Sequence, residues 1–446
     1  MPSATNGNGP TSPQQTQQNV HVLIIGGGIT GLILAQGLRK FNASPAAATY
    51  PIKYTFTVYE RDPDVFYRGG GYSLSFHWSL PFLEDAVPQD IVDGIPGCLC
   101  NPHGEETGQL GKFQYLNLHT AVPKVVVERR SISRIARVSR EKLLKLLMTG
   151  IDMHFSKQLA DLTWPDHNTV TAHFADGTSA TGNLLVGADG SSSAVRRVVC
   201  GPDRAKNLQL PVRMMGFRTD YPLEKVARIR ELDPNLIMGG DPELNTYFWF
   251  SFLNMPRPES GVKVADCHMM VSWPTEDPYP GGGKAPTIPP TNEERQALVK
   301  ELSSGWAECL KEMVMDIPKS AEMREIGLYE WYPRKGDWDS RGGRVTLVGD
   351  AAHSIAPFRG EAVNHGVVDV ANLLNMLIGK KKIPDGQAVV DGRLNLGKIV
   401  EAYEDEMIER VEIPCKRASK ACIDANHYED VKEGSFFTSP RQMNLK

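Results

Sequence analysis

Two stretches of the chain share one pattern, in which a short apolar run is followed by a turn and then by apolar residues at helical spacing. Residues 20–25 (VHVLII) form one apolar run, and an amphipathic pattern follows them at residues 32–38. Residues 345–348 (VTLV) form the other run, and apolar residues recur at helical intervals over residues 363–374. Short apolar runs bounded by turns predict buried strands, and the spacing after them predicts helices. Strand–turn–helix units of this kind are typical of an α/β domain.

The turn after the first predicted strand is rich in glycine. Gly26, Gly28 and Gly31 have the spacing G-x-G-x-x-G, between the predicted strand and the predicted helix. Glycines at these positions let the backbone approach a pyrophosphate, which binds at the amino terminus of the helix. The next apolar run, residues 54–59 (YTFTVY), leads to Glu60, an acid suited to ribose hydroxyls. Glu60 lies 29 residues after Gly31. That spacing exceeds the roughly 20 residues expected, which indicates a surface insertion.

Two further turns place an aspartate directly after a predicted strand. Asp189 lies in GADGSSSAVR, and Asp350 lies in VGDAAHSIAPFRG. A carboxylate at such a turn can accept hydrogen bonds from the hydroxyls of a sugar-like chain. The loop after Asp350 contains Gly360 and leads to the predicted helix with Val363, whose first turn offers free N–H groups to an anion. Because Asp-Gly is also a common turn sequence, the alternative for Asp189 is a purely structural turn.

A glycine-rich loop and one arginine are further candidates for contact with a ligand. Residues 68–72 (RGGGY) include Gly71, and successive glycines let the backbone lie close to a flat or charged group. Arg140 opens a predicted helix, where a cation is unfavourable unless an anion lies nearby. The alternatives are a plain flexible loop and a solvated arginine.

After residue 210 the pattern changes to β strands that alternate between two faces. In residues 246–252 (TYFWFSF), Tyr247 and Trp249 fall on one face and the phenylalanines fall on the other. One face can line a cavity for a flat substrate, and the alternative is a strand between two core layers. Tyr247 and Arg218, which lies on another predicted strand, are therefore our candidates for orienting a substrate.

Composition narrows the class of protein. The 446 residues are 41% hydrophobic and 23% charged, which fits a globular chain of roughly two to three domains. The formal net charge of −4 gives no reason to expect a nucleic-acid partner. The 7 cysteines are scattered without a C-x-x-C pair, so we expect neither a disulfide framework nor a metal site, and we expect a cytoplasmic, reducing compartment. Residues 1–19 are polar and predict a disordered tail, and no apolar run is long enough to span a membrane.

Taken in order, the segments GGGITG with Glu60, GADGSSSAVR and VGDAAHSIAPFRGEAVNHG resemble the flavin-dependent aromatic monooxygenases of the para-hydroxybenzoate hydroxylase type. The resemblance implies bound FAD, with its ribose at Glu60, its ribityl hydroxyls at Asp350 and its phosphates or ribityl chain near Arg140. It links Asp189 to both FAD and NAD(P)H, and it puts the loop at residues 357–364 against the flavin ring. The residues assigned to FAD are thus Gly26, Gly28, Gly31, Glu60, Gly71, Arg140, Asp189, Asp350, Gly360 and Val363.

The resemblance also implies a fold and its division along the chain. The fold class is α/β: a Rossmann-like FAD-binding domain with a parallel sheet, discontinuous in sequence, plus an inserted antiparallel β-rich substrate domain. A long amphipathic helical pattern follows, which Pro414 should kink or break. The expected boundaries are 1–19 for a tail, 20–80, 125–205 and 335–395 for the FAD-binding domain, 81–124 and 206–334 for the substrate domain, 396–430 for the C-terminal helical region, and 431–446 for a second tail.

The reaction that the resemblance implies uses NAD(P)H, O2 and FAD. A flavin hydroperoxide hydroxylates or epoxidises an aromatic, heteroaromatic or polycyclic small molecule, in secondary metabolism. Ala362 and Arg359 depart from the family, which usually has glycine and a small residue there, and both departures are expected to affect the mobility of the ring or access to it. The alternatives are a halogenase or reductase of the same fold, or a non-catalytic FAD-binding regulator. The W-x-W-x-I-P segment of halogenases is missing from the sequence.

Overall fold

The computed structural model describes residues 17–64, 67, 71–109, 111–127, 135–384 and 386–441. The strands are β1 (Gln18–Ile25), β2 (Ile52–Tyr59), β3 (Ser73–Phe76), β4 (Phe113–Asn117), β5 (Pro123–Val127), β6 (Ala136–Ser139), β7 (Met153–His154), β8 (Leu159–Thr163), β9 (Val170–Phe174), β10 (Ser179–Gly182), β11 (Leu184–Gly187), β12 (Leu208–Gln209), β13 (Val212–Pro222), β14 (Leu236–Gly240), β15 (Tyr247–Asn254), β16 (Val264–Pro274), β17 (Arg324–Glu325), β18 (Tyr329–Glu330), β19 (Val345–Leu347), β20 (Val389–Val390) and β21 (Arg393–Leu394). The helices are α1 (Ile29–Asn42), α2 (Pro45–Thr49), α3 (Leu80–Ala86), α4 (Gln89–Gly94), α5 (Pro102–Glu106), α6 (Arg140–Leu147), α7 (Ala194–Cys200), α8 (Leu223–Leu232), α9 (Asn292–Leu302), α10 (Glu308–Met315), α11 (Ala362–Leu377) and α12 (Leu396–Ala425), with 3-10 turns at Ile95–Cys98, Pro258–Ser260, Gly349–Ala351, Pro357–Arg359 and Tyr428–Asp430.

A five-stranded parallel sheet carries the turns on which the sequence motifs lie. Its strand order is β19–β11–β1–β2–β7, and every neighbouring pair runs parallel. In the register of the sheet, Ile25 is level with Tyr59 on one side and with Gly187 on the other, and Gly187 is level with Leu347. Because parallel strands end at the same edge, the residues that follow these four strands meet there. The predicted α/β class is confirmed.

A seven-stranded sheet forms a second layer, in the order β17–β13–β16–β15–β14–β4–β5. It is antiparallel except between β14 and β4, which run parallel. Phe248, Phe250 and Phe252 of β15 pack under α8, α9 and α10 in a separate hydrophobic core. The predicted alternation is therefore correct, and the phenylalanine face is the core face.

Two of the expected domain boundaries move. β4 and β5 are paired strands of the seven-stranded sheet, so the sheet extends past the boundary expected at residue 125. α3 packs against α1 and α11, and α4 packs against α6. Leu80, Leu83 and Ile91 complete the core of the first domain. Residues 80–94 therefore belong with the parallel sheet, because their apolar side chains are buried there.

The C-terminal region is more ordered than its sequence suggests. α12 continues through Pro414, so this proline does not end the helix. Proline in a helix interior costs about 3 kcal/mol, and the burial of Val411, Cys415 and Ala418 against the first core offsets that cost. Residues 431–441, expected to be a tail, are packed, and Val431 and Phe437 are fully buried. Residues 442–446 lie outside the described residues.

The amino-terminal boundary also moves, since β1 begins at Gln18, inside the segment expected to be a tail. Residues 1–16 of that segment lie outside the described residues. Within the described part of the chain, no helix combines the length and apolarity needed to cross a membrane.

Candidate active site

A cavity of about 1590 Å³ lies between the carboxyl edge of the parallel sheet and one face of the seven-stranded sheet. Pockets for a drug-sized ligand measure roughly 300–1,000 Å³, so this cavity has room for more than one small molecule. The candidate residues that line it are Gly28, Arg140, Tyr247, Asp350, Gly360 and Val363. The remaining candidates, which are Gly26, Gly31, Glu60, Gly71, Asp189 and Arg218, are not among the described residues that line it.

The glycine turn between β1 and α1 is built by close backbone contacts. Gly26 has φ +110°, and a Cβ there would lie 2.4 Å from the carbonyl oxygen of Ala188. A Cβ on Gly31 would lie 2.1 Å from the carbonyl oxygen of Gly26. A Cβ on Gly28, by contrast, would meet no atom within 4 Å. Gly26 and Gly31 therefore shape the turn, whereas Gly28 leaves open space at the start of α1.

Glu60 follows β2 and is bonded to the glycine turn. Its Oε2 accepts a hydrogen bond of 2.8 Å from the backbone N–H of Gly27, and its Oε1 accepts one of 3.0 Å from Asp62. The adjacent Arg61 lines the cavity. Each carboxylate oxygen can accept a second hydrogen bond, so Glu60 remains able to bind a hydroxyl at this edge.

The hydrogen bonds of Asp189 are those of the structural turn, which was the alternative to ligand binding. Its carboxylate caps α7, accepting hydrogen bonds from Ser193 Oγ (2.5 Å) and from the backbone N–H groups of Ala194 (2.7 Å) and Val195 (3.2 Å). Burial raises the pKa of Asp189, and the hydrogen bond from Ser193 opposes that rise. The side chain is thus committed to the turn, and the neighbouring Gly190 faces the cavity in its place.

Arg196, to which the sequence analysis gave no role, joins two of the motifs. Its guanidinium is buried and donates hydrogen bonds to the backbone oxygens of Ser191 (2.5 Å) and Ala351 (3.0 Å). These bonds connect the turn after β11 to the turn after β19. This link between the two turns gave no local signal in the sequence, because Ala351 lies more than a hundred residues away from Arg196 in the chain.

Asp350 lies in the 3-10 turn after β19, and its carboxylate faces the cavity. None of the described residues donates a hydrogen bond to that carboxylate. Burial raises the pKa of Asp350, while the charges of His353 and Arg196 oppose the rise. A half-buried carboxylate without a donor is suited to accept hydrogen bonds from the hydroxyls of a ligand.

A buried ionic network stands behind this turn. Asp369 of α11 accepts hydrogen bonds from the backbone N–H of Gly349 (2.7 Å) and from Arg410 Nη2 of α12 (2.6 Å), and it lies 2.7 Å from His353 Nε2. Burial alone would raise the pKa of Asp369, but the charges of His353 and Arg410 and their hydrogen bonds hold it well below its usual range. The network anchors the turn of Asp350 to both long helices.

The loop after Asp350 is fixed by an amide that the sequence analysis did not single out. Gly360 has φ +63°, in the left-handed region that favours glycine. The fully buried Asn364 donates to the carbonyl oxygens of Gly360 (3.1 Å) and Ser75 (3.0 Å), and it accepts from Ser79 Oγ (2.7 Å). The amide therefore fixes the loop to β3. The first N–H groups of α11 have no side-chain cap.

Arg359 is bulky where a small residue was expected, and its contacts explain the difference. It is buried and forms an ion pair of 2.6 Å with Glu361. It also donates to the backbone oxygen of Phe436, to Ser439 Oγ (2.9 Å) and to the backbone oxygen of Pro440 (3.2 Å). Arg359 thus ties the C-terminal segment, residues 431–441, to the wall of the cavity.

Arg140 begins α6 and lines the cavity, with its guanidinium 5.7 Å from the ring centre of Tyr72. Within the described ranges, no carboxylate lies at ion-pair distance from it. Gly71 has φ +69° and lies next to Arg140, since a Cβ on Gly71 would be 3.8 Å from it. Residues 68–70, the rest of the predicted glycine loop, lie outside the described residues.

The seven-stranded sheet supplies an aromatic and sulfur-containing wall to the cavity. Tyr247 and Trp249 of β15 and His268 and Met270 of β16 line it. The Tyr247 ring lies 5.2 Å from that of Phe358, on the loop from the first domain. Burial raises the pKa of Tyr247 well above its usual range, so its hydroxyl stays protonated.

Arg218 does not reach this wall. It forms a two-pronged ion pair with Asp266 (2.8 and 2.6 Å) and another with Glu141 of α6 (2.8 Å). The hydrogen bonds that Arg218 donates to Asp266 are the main cause that raises the pKa of Arg218. The prediction that Arg218 orients a substrate is corrected accordingly: the side chain joins the two domains, and its charge is already compensated.

The comparisons with known proteins agree with this geometry. A family model for an FAD-binding domain matches residues 306–388. The FAD-dependent monooxygenase tazP of Aspergillus terreus is 44% identical over 361 residues, which cover 81% of this chain and 89% of the relative. A probable FAD-dependent monooxygenase of Arthroderma benhamiae is 39% identical over 425 residues, which cover 93% of this chain and 94% of that relative. This chain belongs to the FAD-dependent monooxygenases.

The fold of this monooxygenase matches that of solved flavoprotein hydroxylases. The structure of 2,6-dihydroxypyridine-3-hydroxylase from Arthrobacter nicotinovorans superimposes with a TM-score of 0.67 at 17% identity, over 97% of this chain and 99% of that one. The residues present fit FAD: the open space at Gly28 suits a close phosphate, and within the described part of the chain the carboxylate of Asp350 has no donor and Arg140 has no carboxylate at ion-pair distance. As a monooxygenase, the protein acts on a small-molecule substrate with O2.

Proposed function

We propose that this monooxygenase uses NAD(P)H and O2 to hydroxylate or epoxidise an aromatic, heteroaromatic or polycyclic small molecule. The observation that carries the proposal is that one cavity joins two kinds of surface. One end has the open glycine turn at Gly28 and the unpaired carboxylate of Asp350, and the other end has the aromatic wall of Tyr247 and Trp249. A dinucleotide cofactor and a flat substrate can therefore occupy the same enclosed space.

The polar end of the cavity would hold the FAD. The turn at Gly28 and the start of α1 would bind the pyrophosphate, with Arg140 supplying a cation. Glu60 would accept the ribose hydroxyls, and Asp350 would accept those of the ribityl chain. Bound there, FAD would supply the redox chemistry, which takes electrons from NAD(P)H and activates O2.

The loop at Pro357–Arg359 and Gly360, followed by Val363, would lie against the flavin ring. Because the first N–H groups of α11 lack a side-chain cap, they can stabilise negative charge on the ring, and the helix dipole acts in the same direction. Asn364 would keep the loop in place through its bonds to Gly360 and β3.

The sheet wall would bind and orient the substrate. Its aromatic and methionine side chains exclude water, which favours oxygen transfer over wasteful release of peroxide. The protonated hydroxyl of Tyr247 can donate a hydrogen bond to a substrate oxygen. Tyr247 is thus our candidate for a residue that orients the ring to be oxygenated.

We also propose that the reaction belongs to secondary metabolism and takes place in the cytoplasm. All 7 cysteines are free, which fits a reducing compartment. Fluorescence microscopy of a tagged chain tests the compartment, since a signal in a secretory organelle contradicts it.

Substrate-dependent reduction tests the proposed reaction. The FAD-loaded enzyme is mixed anaerobically with NADPH or NADH in a stopped-flow instrument, alone and with each member of a panel of hydroxylated naphthalenes and anthracenes. A true substrate should speed flavin reduction by about tenfold or more, which corresponds to ~1.4 kcal/mol in the barrier. If neither nicotinamide reduces the flavin with any ring compound, the proposal is wrong.

A further inference from the structure

One arginine in the cavity wall forms no ion pair with any of the described residues. Arg137 lies on β6, level with Ser75 of the neighbouring β3, and lines the cavity. Its Nη1 donates a hydrogen bond of 2.9 Å to Ser75 Oγ, and its Nη2 donates one of 2.5 Å to Ser73 Oγ. Both partners are neutral hydroxyls, so they hold the guanidinium in place without compensating its charge.

The electrostatic environment of Arg137 favours a bound anion. No carboxylate among the described residues lies at ion-pair distance from it, and its Nε is buried without an acceptor. Burial lowers the pKa of Arg137, and electrostatic interactions with Cys100 and Asp233 oppose that change. A guanidinium stays protonated in proteins even so. Arg137 is half-buried, and a partly buried cation that forms no ion pair with the described residues is costly, so a ligand that brings a negative oxygen would lower that cost.

The surroundings of Arg137 also define the shape of such a ligand. Its guanidinium carbon lies 5.5 Å from the ring centre of Trp249, and Met270 is level with Trp249 on the next strand. His268, on the same wall, is neutral near pH 7, because burial and the positive charges of Arg137 and Arg218 lower its pKa to about 4. The wall therefore offers a flat apolar surface beside a positive charge.

We propose that Arg137 is a specificity-determining residue of the monooxygenase, which binds a negatively charged oxygen conjugated to a flat ring. The proposed ligand is a phenolate or enolate form of the aromatic substrate, with its ring against Trp249 and its oxygen at the guanidinium. The inference rests on the proposed function and deepens it, since it selects ionisable ring compounds over neutral ones. The other source of a flat anion in this cavity is the reduced flavin.

Binding of a matched pair of ring compounds to the FAD-loaded protein tests the assignment. The probes are 4-nitro-1-naphthol, an acidic two-ring phenol, and its O-methyl ether, which cannot ionise. Equilibrium dialysis gives the dissociation constant of each for the wild type, Arg137→Gln, Arg137→Met and Arg137→Lys. Arg257→Gln, which removes an exposed arginine outside the cavity, is the control.

Arg137→Gln and Arg137→Met should weaken binding of the naphthol by about tenfold or more and change binding of the ether by less than about twofold, because only the naphthol brings the charge. Arg137→Lys should retain part of the preference for the naphthol. If the substitutions weakened binding of both probes equally, Arg137 would have only a packing role, and the proposal would be overturned. If naphthol binding were unchanged and the flavin midpoint potential were lowered, the charge of Arg137 would act on the reduced flavin and not on the substrate. That result would also overturn the proposal.

Failure of the proposed function gives a different result. A protein that retains FAD but never oxidises NAD(P)H in the presence of ring compounds would contradict the monooxygenase reaction on such substrates. The dialysis requires no turnover, so it reports on Arg137 independently. The FAD content of each variant is measured first and identifies a variant whose fold is lost. If either Arg137→Gln or Arg137→Met is lost in this way, binding of the two probes to the other one tests the proposal.

Discussion

At the residue scale, the two glycines at the start of α1 have different physical tasks. Gly28 has φ −76° and ψ 179°, a conformation open to any residue, and a Cβ on it would meet nothing. Gly31 has no such freedom, since its Cβ would collide with the carbonyl oxygen of Gly26. The turn needs a glycine at position 31, whereas no described residue requires one at position 28, where a bound pyrophosphate would.

This difference predicts opposite effects of two alanine substitutions. Gly28→Ala should leave the thermal unfolding of the FAD-free protein unchanged and weaken FAD binding by about tenfold or more, because the methyl group occupies space meant for the phosphates. Gly31→Ala should destabilise the FAD-free protein by about 1–3 kcal/mol, because the turn must open. Melting curves and fluorescence titration with FAD measure both. A large loss of stability in Gly28→Ala would contradict the open space at that position.

Asp350 provides a second test at the residue scale. Asp350→Ala should weaken FAD binding by about ten- to a hundredfold, since hydrogen bonds to a charged group contribute about 1.5–3 kcal/mol. The FAD-free variant should be no less stable than the wild type at neutral pH. Burial raises the pKa of Asp350, so its ionisation in the folded state costs stability as the pH rises. Asp203→Ala, at an exposed site, is the control. Unchanged FAD affinity in Asp350→Ala would remove this carboxylate from the cofactor site.

At the element scale, α12 is joined to the edge of the parallel sheet by a titratable contact. Glu404 Oε1 accepts hydrogen bonds from Trp338 Nε1 (2.9 Å) and from Thr346 Oγ1 of β19 (2.8 Å). Burial raises the pKa of Glu404 from 4.5 to about 7, although these two hydrogen bonds oppose the rise. Between those two pH values the folded protein keeps a proton that the unfolded chain has lost.

Stability should therefore fall as the pH rises from about 4.5 to about 7, because the unfolded chain ionises Glu404 first. Glu404→Gln should remove this loss and stabilise the protein at pH 8 by on the order of 2 kcal/mol, with little effect at pH 4.5. Urea unfolding at the two pH values measures the difference. Glu401→Gln, at an exposed position on the same helix, should change neither value. A Glu404→Gln variant that is less stable at pH 8 would contradict the raised pKa.

The elements also explain how far the sequence could predict the site. The turns that carry Gly28, Glu60 and Asp350 are predictable because strand, turn and helix are encoded locally, and the parallel register brings the strand ends together. Their contacts with a cofactor remain a prediction. The two faces of β15 are also predictable, because the alternation of side chains along a strand is a local pattern. Asn364 and Asp369 were missed, since their partners come from β3 and α12, and a pairing across the chain leaves no local pattern.

The errors have the same origin. The capping contacts of Asp189 favour the structural alternative, and the sequence left both open because a capping aspartate and a ligand-binding aspartate look alike after a strand. Arg218 was assigned to the substrate because its strand is predictable from the sequence, whereas its ion-pair partners Asp266 and Glu141 are not. Pro414 lies inside α12 because tertiary packing outweighs the local preference of proline.

At the scale of the whole molecule, the C-terminal segment closes the cavity between the two domains. Glu433, Ser439 and Arg441 line the cavity, and Arg441 Nε donates a hydrogen bond of 2.7 Å to the carbonyl oxygen of Arg359. Phe437 packs between Tyr115 and Tyr247 of the second domain. The ion pair of Arg359 with Glu361 thus supports a contact that spans both domains.

Removal of one partner of this buried pair should be costly. Arg359→Met should lower the free energy of unfolding by about 3–5 kcal/mol, because the buried Glu361 loses its ion-pair partner. The double variant Arg359→Met, Glu361→Leu should recover much of that loss, since no unpaired charge remains. Chemical unfolding measures both, and hydrogen exchange should show faster exchange in residues 431–441 of the single variant. If the single variant were as stable as the wild type, the pair would not support the segment.

The most direct measurement on the whole molecule is the fate of oxygen during turnover. The FAD-loaded enzyme is supplied with NAD(P)H, isotope-labelled O2 and the ring compound that most stimulates flavin reduction, and the product is analysed by mass spectrometry. Since one cavity has room for both substrate and cofactor, we expect one labelled oxygen atom in each product molecule for each NAD(P)H consumed. Consumption of NAD(P)H that yields only labelled hydrogen peroxide, or a product whose new oxygen comes from water, would contradict this.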